Sequence, residues 1–65
     1  MTSLATTSIE VYVEQFDNGF RIDEWVSEFV VPKSWGFSQR FMWLKNHFRK
    51  LTKEEGLTYQ FEILG

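Results

Sequence analysis

Arg40, Trp43, His47 and Lys50 recur at i, i+3, i+7 and i+10, a spacing that gathers them on one flank of a helix. Such a flank sets cations toward phosphates or carboxylates. It also holds an indole where a partner's apolar surface or a base can meet it. Met42 and Trp35 adjoin the group in sequence, and these six residues form the candidate interaction surface. The flank suits either a protein partner or nucleic acid, and its residue types do not choose between them.

Other chemistries lack their parts. His47 is the single histidine and has Trp43 at i−4 and Lys50 at i+3, with no carboxylate three or four positions away. A metal there would need ligands from distant segments. The chain has no cysteine, which removes thiolate metal sites and a disulfide framework. Ser34 and Ser38 precede helical sequence and read as caps rather than nucleophiles. Glu54 and Glu55 are adjacent and point apart, and no glycine-rich phosphate loop is present. A short chain has little room to enclose a substrate within a preorganised polar shell. The expectation is a binding protein with no catalytic residue, metal or cofactor.

Charge is segregated along the chain. Residues 1–32 carry Glu10, Glu14, Asp17, Asp23, Glu24 and Glu28 against Arg21 alone. Residues 33–53 carry Lys33, Arg40, Lys45, Arg49, Lys50 and Lys53 without an acid, so a net charge of −2 conceals a basic segment. The basic segment can balance the acidic ones within the fold, at little gain in stability. It can instead steer a larger protein with an acidic surface, the leading expectation, or a phosphate backbone, the alternative. An acidic remainder weighs against the second, since dedicated nucleic-acid binders usually have a net positive domain.

The elements that position these residues follow from periodicity. Ile9, Val11 and Val13 alternate with Glu10, Tyr12 and Glu14, which predicts a strand over 9–16. Asn18-Gly19 then reverses the chain. Over 23–30, Ile22, Trp25, Val26, Phe29 and Val30 have helical spacing, and a short helix is the preferred reading. A continued strand is the other. With a two-residue loop it sets Val13 opposite Glu24 and Val11 opposite Val26, driving Glu24 and Glu28 onto the apolar face. Val30-Val31-Pro32 nevertheless favours extended backbone.

Ser38 caps a main helix over 38–51, with Phe41, Leu44, Phe48 and Leu51 in one stripe and Phe37 and Met42 spaced as a hydrophobic staple. Two helices flanking Val31–Phe37 bear only a weak likeness to a helix-turn-helix, because the connection is long and contains Pro32 and Gly36. Thr52–Gly56 adds at most a separate turn, and Gly56 releases the chain. Leu57, Tyr59, Phe61 and Ile63 alternate with polar residues, predicting a strand over 57–64 beside the first one. These elements make a small α+β domain with an antiparallel sheet, compact over 8–65, with 1–7 as a flexible tail.

No run approaches the roughly 18 apolar residues of a membrane span, and the start lacks the basic and apolar parts of a secretory signal. A cytoplasmic protein without membrane contact is expected. Three tryptophans, seven phenylalanines and two tyrosines exceed what one small core easily hides. A homodimer through a sheet edge or the Trp43 flank is a further expectation.

Overall fold

A computed structural model describes residues 5–65. Strand β1 (Thr6–Asp17) and strand β2 (Phe20–Pro32) form a long hairpin, followed by helix α1 (Phe37–Glu55) and strand β3 (Thr58–Ile63). The sheet is antiparallel in the order β2-β1-β3, so the first and last strands are neighbours as expected. The domain is a small α+β one, with α1 packed on a single sheet face.

The structure takes the second sequence reading of 23–30, a continued strand after a two-residue loop, but in a register that reading did not give. That segment lies within β2 and is not a helix. Asn18 (φ 52°) and Gly19 (φ 83°) both adopt left-handed backbone, as a two-residue hairpin loop with the twist of its strands requires. Asp17 faces Phe20 and Phe16 faces Arg21, yet Gln15 faces Asp23. Ile22 is therefore an extra residue, a β-bulge. It slips the rest of the register by one position and exchanges the two faces of β2.

Val13 now stands opposite Trp25, Val11 opposite Ser27 and Ile9 opposite Phe29, while Glu14 meets Glu24 and Glu10 meets Glu28. The acids that made a strand unattractive leave the apolar face because of this one residue. The helical spacing of 22–30 arises because Trp25 and Phe29 belong to one sheet face while Val26 and Val30 belong to the other.

The core lies between the sheet and α1. Ile9, Val11, Val13, Val31, Leu44 and Phe48 are buried, and Trp25, Phe29, Trp35, Leu51, Tyr59, Phe61 and Ile63 pack around them. An aromatic layer continues through it: Phe48 contacts Phe29, Tyr59 and Phe61 at ring-centroid distances of 6.2, 5.4 and 5.4 Å. Most of the aromatic excess is thus used inside one copy of the chain.

The helix is longer than expected at both ends. Gly36, rather than Ser38, is its N-cap, and the Gln39 side-chain carbonyl accepts the Gly36 N–H at 2.9 Å. Ser38 lies inside the first turn. Phe37 stacks on Phe41 at 6.2 Å; with Gly36 as the cap it is the first helical residue and does not hold the position before the cap that the expected staple requires. Thr52–Glu55 continues the helix to Gly56, whose φ of 75° makes a left-handed C-cap donating its N–H to the Thr52 carbonyl at 2.8 Å.

Thr6 and Thr7 belong to β1 and not to the flexible tail expected over 1–7. Thr6 and Thr7 pair with Pro32 and Val31, because the β2 strand runs on to Pro32 and offers them a partner. Ala5 accepts the Lys33 N–H at 2.9 Å, and residues 1–4 lie outside the described ones.

Candidate functional site on the helix flank

Leu44 and Phe48 anchor α1 to the sheet. At about 100° per residue, Trp43, His47 and Lys50 then fall on the flank that overhangs β2. The bulge in β2 brings Phe29 to this face, directly beneath them. The Phe29 ring meets Trp43 edge-on at 5.8 Å and His47 edge-on at 5.3 Å. Trp43 and His47 stack nearly parallel, 8° apart with centroids at 5.4 Å. Trp35, in the connection before the helix, leans on Trp43 at 6.5 Å.

Trp43 is consequently fixed from three sides and still 38% exposed. Together with Asn46, His47 and Lys50 it lines a shallow hollow of about 250 Å³. A second hollow continues toward the helix end, lined by Asn46, Arg49, Lys50 and Lys53. The stretch from Trp43 to Lys53 is thus an aromatic ledge followed by cations.

The six candidate residues divide. Trp43, His47 and Lys50 converge on the hollow, and Trp35 supports it from behind. Arg40 occupies the same flank but lies about 40° from Leu44 on the helix. It is half-buried, its Nε is enclosed without a hydrogen-bond partner, and it does not line the hollow. Met42 stands on the outer side of the helix and lines neither hollow.

Two contributors were missed. Asn46 sits at i+3 from Trp43, and helical spacing alone is enough to include it. Phe29 belongs to a segment read as helix, so its place under the flank required the bulge to be known.

Charge is sorted in space as well as in sequence. Glu10, Glu14, Glu24 and Glu28 occupy the sheet face opposite the helix, and Glu62 joins them across from Tyr12. Among the described residues, ion pairs are made by Arg21 alone, to Glu14 at 2.9 Å and Glu24 at 3.5 Å. The cations of α1 are therefore not neutralised by the acidic strands. Lys53 lies in the last turn, where a cation complements the helix dipole.

On the acidic side, the Tyr12 hydroxyl donates to Glu24. That bond raises its phenol above the ordinary value, aided by burial and by the nearby Glu14. Burial raises Tyr59 likewise, helped by its donation to Glu55 and opposed by the Gln15 amide that donates to it at 3.0 Å.

Among the described residues no three metal-ligating side chains come together, and no helix is long and apolar enough to cross a membrane. The architecture is that of a two-layer α+β domain with an aromatic and cationic helix flank. Comparison with protein-family models, curated proteins and solved structures found no match for this chain.

Proposed function

We propose that this chain is a small non-enzymatic interaction module, a regulator or inhibitor of a larger protein, that docks an acidic surface onto the α1 flank. The observation that carries the reading is the fixing of Trp43. His47 occupies one side of the indole, Phe29 lies against its edge and Trp35 leans on it. Stacking a base requires an open ring face, and His47 takes one of the two that the indole has. A half-exposed, rigidly held indole beside Asn46 and Lys50 instead suits the centre of a protein interface, where such rings contribute most. Lys45, Arg49, Lys50 and Lys53 would steer an acidic partner to it.

Nucleic acid is the second reading, favoured by the same cations facing away from the acidic strands. Phosphate contacts would make affinity fall steeply with added salt, whereas a Trp-centred interface retains much of its affinity.

The test is capture from the source cell with wild type, Trp43→Ala and Lys50→Glu, each before and after nuclease. A discrete protein that survives nuclease and is weakened at least about tenfold by either variant supports the proposal. Retention of nucleic acid alone, lost with Lys50→Glu, overturns it. Lys50 is exposed, so its variant guards against a W43A result caused by misfolding.

A further inference from the structure

The sheet face turned away from α1 is uncovered among the described residues, and its side chains are sorted into rows. Across β1 and β2, Ser8 faces Val30, Glu10 faces Glu28, Tyr12 faces Val26 and Glu14 faces Glu24. Apolar and acidic rows therefore alternate. Val26 and Val30 are 56% and 62% exposed, a large apolar share for a face that none of the described residues covers. Like charges directly opposite on neighbouring strands repel. In the Glu14–Glu24 row the chain supplies its own remedy, because the Arg21 guanidinium reaches both carboxylates. In the Glu10–Glu28 row no cation among the described residues comes within ion-pair distance.

We propose that this face docks a basic amphipathic helix of another protein, with a cation seated on the Glu10–Glu28 row and apolar side chains on the Val30 and Tyr12–Val26 rows beside it. The dimensions agree. From the Val30 row to the Val26 row is four residues of strand, about 13 Å. Residues i and i+8 of a helix are about 12 Å apart. An apolar–cation–apolar sequence at i, i+4 and i+8 therefore matches the three rows in register. β1 and β2 carry all three rows, and β3 lies beside β1 only from Val11 to Phe16, where Glu62 flanks the Tyr12–Val26 row.

A second copy does not fit. Face to face, two copies would oppose the same acidic rows. The exposed cations of α1 that stand four apart are Lys45, Arg49 and Lys53, which puts a cation at the step that requires an apolar residue.

The face is separate from the α1 flank, so the proposal stands or falls apart from the function proposed above. The test uses the full chain with two designed helical peptides of one composition. One carries Leu, Arg and Leu at i, i+4 and i+8 with a second Arg on the opposite side, and the other carries Arg, Leu and Arg in the same positions with the spare Leu in place of that second Arg. Nuclear magnetic resonance titration with the first should shift amides of 8–12 and 26–30 and leave 43–53 unmoved. Its affinity should fall at least about tenfold in the Glu10→Gln, Glu28→Gln variant. That variant should stay folded, because it loses a repulsion. Equal binding of the second peptide, shifts centred on α1, or no weakening in the double variant would overturn the proposal. So would salt-sensitive self-association of the chain alone that is abolished by the same double variant.

Discussion

Tyr12 and Tyr59 each donate a hydroxyl to a carboxylate, Glu24 and Glu55 respectively, and each phenol is raised above its ordinary value by that bond together with burial. A group whose folded pKa is raised contributes stability that is complete below the unfolded value, near 10 for a phenol. That contribution is lost as pH rises through the folded value. Stability measured by urea melts should therefore stay flat across neutral pH and fall above about pH 10. Replacing both by phenylalanine should flatten the alkaline limb; an unchanged limb would mean that the two bonds do not persist in solution. Trp43 is tested at this scale too. Its ring packs on Phe29 but is not fully enclosed, so Trp43→Ala should cost roughly 1–3 kcal/mol, below the 3–5 typical of a fully buried aromatic. Denaturant unfolding measures this, and a loss of all cooperative folding would place the residue wholly in the core.

One bulge decides which face of β2 looks inward. Deleting Ile22 would remove the bulge and let Asp23 follow Arg21 in one unbroken ladder, leaving Trp25 opposite Val13 and Phe29 opposite Ile9. Circular dichroism should therefore show this deletion variant folded. An unfolded deletion variant would refute the reading of Ile22 as the extra residue. Gly56→Ala should cost about 1 kcal/mol, because φ is 75° and no neighbour crowds the missing Cβ.

These elements also mark how much was legible beforehand. Strands 9–16 and 57–64 and the helix from 38 were readable because period, turn and breaker signals agreed locally. The 23–30 segment was not, since a bulge is invisible to periodicity and makes a two-faced strand imitate a helix. The helix start was blurred because its cap, Gly36, has no side chain to mark it, and only the Gln39 half of the capping box could be read. Within the candidate site, the grouping of Trp43, His47 and Lys50 was legible from spacing alone. The separation of Arg40 from the hollow and the support from Phe29 depended on tertiary packing.

At the scale of the molecule, one thin sheet separates two opposite electrostatic surfaces. The chain extends 47 × 21 × 17 Å, so most of its residues lie near one surface or the other and little charge is hidden. Cations on the helix side face outward and form no ion pair among the described residues, and this leaves α1 attractive to acidic partners at physiological salt, where screening acts over about 8 Å. The central claim is that the Trp43 flank meets a protein. The most direct measurement places a photo-crosslinking residue at Asn46, in the lining of the hollow, and a control at Asp17, exposed at the hairpin end, in the source cell. A discrete, nuclease-resistant protein adduct should form from position 46, be absent from position 17, and disappear when Lys50 is changed to Glu. Adducts to nucleic acid alone from position 46, or the same protein adduct from both positions, would contradict it.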